Sequence, residues 1–158
     1  MQAQAPQAQA AQAQAPHASP AYASQETGTA VVRNAFEYCV LKAVPRVERG
    51  DSVNVGVIVY CQARDFLDAR TRLDRELLLA LDPAADVAGI EAAVAAYARV
   101  CRGGNEAGQA GEATTGQRFR WLTAPRSTVV QPGPVHLGLT TDPAADLARL
   151  AARLLPSQ

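Results

Sequence analysis

The chain has no run of about 18 consecutive apolar residues, the length a helix needs to cross a bilayer, so no membrane span is expected. No Lys or Arg precedes Arg33 and no Leu-rich core lies ahead of it, which argues against a secretory signal and an Arg-rich transit peptide. There are only three cysteines, Cys39, Cys61 and Cys101, with no CxxC pair. With two histidines beside them, no zinc cage is expected, and buried thiols in a reducing cytoplasm are. No charge of one sign dominates, since 15 basic residues balance 15 acidic ones. Nothing global therefore draws the chain to nucleic acid or an anionic membrane, and any electrostatic partner must be met by a local patch. Lys42 is the one lysine, and this Arg-for-Lys bias is read as GC-rich coding rather than as arginine chemistry. No GxxxxGK[ST] loop occurs, and Gly103-Gly104 follows no strand, so neither nucleotide fingerprint is present. No metal-ligand spacing and no basic stripe with interleaved aromatics is found.

Residues 1–33 lack Leu, Ile, Phe and Trp and consist largely of Ala, Gln and Pro. Such a segment cannot bury enough apolar surface to offset about 1–2 kcal/mol of backbone entropy per residue, so a disordered tail is expected. A Gln/Ala-rich interaction arm is the functional alternative. Met1 is the chain's only methionine, so a start at a non-Met codon near Val31 is a further alternative.

The remainder, 34–158, reads as a single α+β domain: an antiparallel sheet that starts with a β-hairpin and packs with about three helices. Phe36 to Val44 and Val53 to Cys61 are the strands, and in the second the odd positions are all apolar, as in a half-buried strand. Folding about Gly50 makes opposing residue numbers sum to about 100 and places Cys39 opposite Cys61 and Leu41 opposite Val59. Phe66 to Leu73 reads as a returning strand. Asp74 caps a short helix to Leu81, and Asp82-Pro83 caps the next, with Val87, Ile90, Val94, Tyr97 and Cys101 on its apolar face. Residues 103–117 form a Gly-rich polar loop. Phe119–Trp121 and Ser127–Gln131 read as short extended pieces, which Pro125, Pro132 and Pro134 keep from central sheet positions. Asp142-Pro143 opens a last helix with Leu147, Leu150, Leu154 and Leu155.

Two polar islands interrupt this structural sequence. The hairpin tip carries Arg46, Glu48, Arg49 and Asp51, followed by Asn54. Its charges either pair locally or, through the forked guanidinium groups, meet an anion or a partner. The second island holds Arg126, Ser127 and Thr128, with Gln131 and His136 beyond. Ser127 with His136 is a weak nucleophile–base pair, because no GxSxG elbow and no acidic orienter accompany it. Arg126, Thr128 and His136 also suit a phosphate or nucleotide, or simply hold irregular backbone by bonding its carbonyls. Trp121 and Phe119 among Arg118, Arg120 and Arg126 suggest base stacking, but a core role is expected of the tryptophan.

At these islands the sequence resembles the domain of unknown function 3037 family. The resemblance rests on Val44-Pro45-Arg46-Val47-Glu48-Arg49-Gly50 running into Val53-Asn54-Val55-Gly56-Val57. It rests equally on Arg118-Phe119-Arg120-Trp121-Leu122, on Ala124 through Gln131, and on Pro134-Val135-His136 with Gly138-Leu139. It spans about Phe36 to Leu155, and departs from the family pattern at Asp51, where Glu is usual, and at Leu137, where a small polar residue is. The resemblance implies no established activity. It implies small bacterial cytoplasmic proteins, some encoded beside a HipA-like kinase. The expected function is therefore a non-enzymatic accessory protein that binds a protein partner, such as a kinase of that kind in a toxin–antitoxin or stress system. The alternative is a small enzyme or sensor for a phosphorylated ligand, in which Arg46, Arg49, Arg126 and His136 converge on an anion. No cofactor, metal, membrane or nucleic acid is expected to take part.

Overall fold

The computed structural model describes residues 30–157, so the disorder expected of the tail falls, for 1–29, outside the described residues. Exposed coil from Ala30 leads into β1 (Asn34–Ala43). β2 (Val53–Cys61) and β3 (Phe66–Thr71) follow. Next come α1 (Arg75–Leu81), α2 (Val87–Arg102), α3 (Thr115–Thr123), β4 (Val130–Thr140) and α4 (Pro143–Leu154). The four strands form one antiparallel sheet in the order β3-β2-β1-β4, giving the expected α+β class.

β2 is buried along nearly its whole length rather than on one face, because helices cover the sheet on both sides. On one side Leu41, Ile58, Tyr60 and Leu67 meet Ile90, Val94 and Tyr97 of α2 and Phe119 and Leu122 of α3. On the other, Phe36, Val57, Val59 and Cys61 pack under Leu147, Leu150 and Leu155 of α4 and its end. Apolar residues at both parities of β2 are what a central strand between two layers requires.

The hairpin register differs from the expected one. Cys39 faces Ile58 and Leu41 faces Gly56, so Cys39 and Cys61 point to opposite sides of the sheet and are not neighbours. The connection 44–52 is longer than a tight turn. It closes with Arg49 and Gly50 N–H groups donating to the Arg46 carbonyl at 3.1 and 3.2 Å, with Gly50 at φ 76°. Beyond it Lys42 pairs with Asn54, which leaves Val55 as the extra residue of a bulge. The bulge lets Val55 and Ile58, of opposite parity, enter the same core.

Local chemistry explains most helix ends. Asp74 accepts from Leu77 N–H at 2.9 Å and caps α1 as expected. α2 starts not at Asp82 but at Val87, where Asp86 accepts from Gly89 N–H at 2.9 Å. Gly103, at φ 71°, ends it. The Gly-rich stretch forms 3-10 turns over Asn105–Glu112, kinked at Gly108. Phe119–Trp121 is helical rather than extended, because Thr114 and Gln117 form a capping box that starts α3. β4 is an edge strand, which is where its two prolines are tolerated. Gly138 in β4 has no substitute at that spacing: a Cβ there would sit 2.4 Å from the Phe36 ring.

Candidate functional site

The two islands meet at one end of the sheet. Ala43 pairs with Val130, and just beyond them Val44 N–H donates to the Val129 carbonyl at 2.8 Å. The hairpin tip and the 124–129 loop therefore lie side by side.

Within this region most charged groups are already engaged. Arg46 holds Asp82 with two bonds, Nε to Oδ2 at 2.9 Å and Nη2 to Oδ1 at 3.4 Å. The Arg46 hydrogen bond, helped by Ala84 N–H, keeps the Asp82 carboxyl below the usual carboxylate range, and Asp82 in turn raises Arg46. Arg49 pairs with Asp51 at 3.1 Å, and Glu48 is exposed. Asn54 faces away from the tip and donates to the Leu154 carbonyl at 2.9 Å, tying β2 to the end of α4. The space between Pro45, Arg46, Arg49, Asp51, Leu81 and Asp82 is too narrow to admit even a water molecule.

Arg126 lies in the neighbouring loop. It donates to the Trp121 and Ala124 carbonyls, and its guanidinium lies 5.0 Å from the Trp121 ring and 5.8 Å from the Tyr97 ring. Thr128 Oγ1 donates to the Val130 carbonyl at 2.7 Å, while Ser127 is exposed. His136 pairs with Tyr38 across the sheet and stacks on it at 5.0 Å, on the side that Phe36 shares with α4. Arg126 sits over Tyr97, on the α2 side. The expected convergence of Arg46, Arg49, Arg126 and His136 on one anion is thus not formed, because strand parity sends His136 to the opposite face of the sheet. The same separation leaves Ser127 without His136 as a base.

The tryptophan is the feature that sequence reasoning misplaced. Trp121 is 54% exposed, whereas Phe119 is fully buried against Tyr60, ring centroids 5.0 Å apart. Residues two apart share a face in a strand but point about 200° apart on a helix, so burying Phe119 exposes Trp121. The signal was available in Thr114-x-x-Gln117 ahead of the segment. Between Trp121, Gln117 and Arg118 of α3 and Gln109, Ala110 and Ala113 lies an open hollow of about 520 Å³. Arg120, the next residue outward, holds Glu37 of β1 with two bonds of 2.8 Å and fixes α3 to the sheet.

Cys39 and Cys101 are poor nucleophiles. Burial pushes the Cys39 thiol up to about 11 and the Cys101 thiol up to about 12. Among the described residues, no group of three His, Cys, Asp or Glu side chains is arranged to hold a metal ion. None of their helices is long and apolar enough to cross a membrane.

No curated protein and no solved structure matches this chain. The model of DUF3037, described as a protein of unknown function, matches residues 38–155, and the chain belongs to that family.

Proposed function

We propose that the protein is a non-enzymatic, cytoplasmic accessory module that binds a protein partner through the surface formed by Trp121, Arg126, Val129 and the hairpin tip. The observation that carries this reading is the exposed Trp121 ring with Arg126 laid over it. Trp121 is left in water while Phe36, Tyr60, Tyr97 and Phe119 are buried, and Trp with Arg are the residues that dominate interface energetics. Arg126 is fixed by the carbonyls of Trp121 in α3 and of Ala124, so the pair loses little side-chain freedom on binding. Val129 and Val47, both 40% exposed, add apolar surface, and the paired charges of the tip supply a polar rim. The family resemblance makes a HipA-like kinase the first partner to test, in a toxin–antitoxin or stress setting.

The test is calorimetric titration of the purified protein against a HipA-like kinase from the same organism. Binding is expected, with at least a tenfold loss in Trp121→Ala at an unchanged melting temperature. Binding that survives both Trp121→Ala and Arg126→Ala removes this surface from the reading. The alternative, a phosphate or nucleotide ligand, predicts that a ligand at 100 times its dissociation constant stabilises the fold by about 2.7 kcal/mol in a thermal-shift screen. No such shift is expected, since the arginines are bonded internally.

A further inference from the structure

The two edges of the sheet are built differently. β3, at one edge, carries Asp68 and Arg70 and runs into Arg72, the charge that commonly blunts a sheet edge against pairing with another chain. β4, at the other, has no Asp, Glu, Lys or Arg between Ser127 and Thr141. Its first half is blunted by Pro132 and Pro134. Its second half, from Val135 to Thr140, has neither device. On the face it shares with Glu37 and Ala35 it presents Val135, Leu137 and Leu139, exposed by 38%, 77% and 65%.

We propose that this half of β4 pairs antiparallel with the same segment of a second copy, about a two-fold axis at Leu137, joining two four-stranded sheets into one. The argument is self-complementarity. A two-fold contact places one patch against itself, so a residue and its symmetry mate must suit each other. With the axis at Leu137, Leu137 meets its mate, Val135 meets Leu139 of the other copy, and Leu139 meets Val135. All three apolar residues of this face then have apolar cross-strand neighbours. On the opposite face His136 meets Gly138, which adds no side chain of its own and lies under the Phe36 ring. Moving the axis to Gly138 leaves Val135 opposite Thr141, and moving it to His136 leaves Leu139 opposite Gly133.

Charge supports the same occupant. Like charges oppose each other across a two-fold axis unless the strand carries none, and this strand carries none. The nearest charge on that face, Glu37, is already neutralised by Arg120. The six-residue edge is about 20 Å long. That is too short to bury the roughly 800 Å² per partner of a standard interface on its own, so the dimer belongs to the weak class, with a dissociation constant between about 1 μM and 1 mM.

Sedimentation velocity over a concentration series tests this. A monomer–dimer equilibrium is expected, abolished by Leu137→Lys at unchanged melting temperature. A wild-type protein still monomeric at about 1 mM overturns the proposal, since any tighter constant would give dimer there, and leaves the edge to a strand from another protein. A dimer that persists in a folded Leu137→Lys variant overturns it too. Register is read separately by cysteine cross-linking, because the native thiols are buried. Leu137→Cys is expected to form a disulfide-linked dimer under mild oxidation and Leu139→Cys, which faces Val135 of the other copy, is not. Equal cross-linking at both positions refutes the axis at Leu137.

Discussion

The pentapeptide Asp-Pro-Ala-Ala-Asp occurs at 82–86 and again at 142–146, and the two copies start their helices at opposite ends. In the second, Asp142 accepts from the N–H groups of Ala144 and Ala145 at 3.0 and 3.2 Å, and α4 begins at Pro143. In the first, Asp82 makes the same local contact, to Ala84 N–H at 3.1 Å, and has nearly the same backbone angles, φ −147° and ψ 106° against φ −145° and ψ 99°. Yet α2 waits for Asp86. The aspartate is therefore not what differs. Asp82 also terminates α1, its N–H donating to the Leu78 carbonyl at 3.1 Å, and its carboxylate is drawn to Arg46. Pro143 is buried and carries the chain straight into the core, whereas Pro83 is exposed and the chain turns again before Val87. A cap motif offers a helix start, and the packing of the residues after it decides whether it is used.

The sharpest way to separate the copies is at the residue after each. Leu147, 1% exposed, lies beneath α4, the helix on its side of the sheet, and Leu147→Ala should cost about 2–5 kcal/mol. Val87 is half-buried, and Val87→Ala should cost no more than about 1 kcal/mol. Urea unfolding measures both. The caps come next. Asp142→Ala and Asp86→Ala should each destabilise by about 1 kcal/mol with a loss of helical circular dichroism. Asp82→Ala should lower stability without that loss, and adding Arg46→Ala to it should change little further, since both act through one pair.

Acid should separate the aspartates as well. The folded-state pKa of Asp82 is depressed by Arg46, so its contribution is fully present above the unfolded value of about 4 and fades as pH falls through the lower folded value. Asp82→Asn should accordingly narrow the stability difference from wild type between pH 7 and pH 3, measured by denaturant titration. The smallest effect is expected at Asp146. Burial would raise this carboxyl, but the Thr140 hydroxyl and Arg149 together bring it below the usual range. Its contact with Arg149 spans one helical turn at 2.6 Å on the surface, and Asp146→Asn should cost no more than about 0.5 kcal/mol.

What the sequence disclosed was local. β1, β2 and β3 follow from alternation and turn residues, and α1, α2 and α4 from apolar spacing near an acidic cap. Where the outcome hung on contacts distant in the chain, it was hidden. The bulge at Val55 is set by the layers on both faces of β2, not by its own residues. α3 was missed because aromatic residues between prolines look extended unless the Thr114–Gln117 box is weighed against them. At the site, the phosphorylated-ligand alternative required the tip to meet the 125–136 loop. The tip lies beside residues 124–129, but the groups that were to converge are bonded elsewhere or face the other side. Arg46 found Asp82, 36 positions away, and His136 took its face from its pairing with β1.

The placement of β1 between β2 and β4 has a consequence for how the chain comes into being. β1 is made first, yet the strand that completes it is made late: the Cys39 thiol donates to the carbonyl of Gly133, 94 residues further on. During synthesis β3, β2 and β1 can meet as a meander while one flank of β1 has no neighbour until α1, α2 and α3 have emerged. Closure of the sheet is thus a late, long-range event, which slows folding and gives a nascent chain time to capture a stray strand.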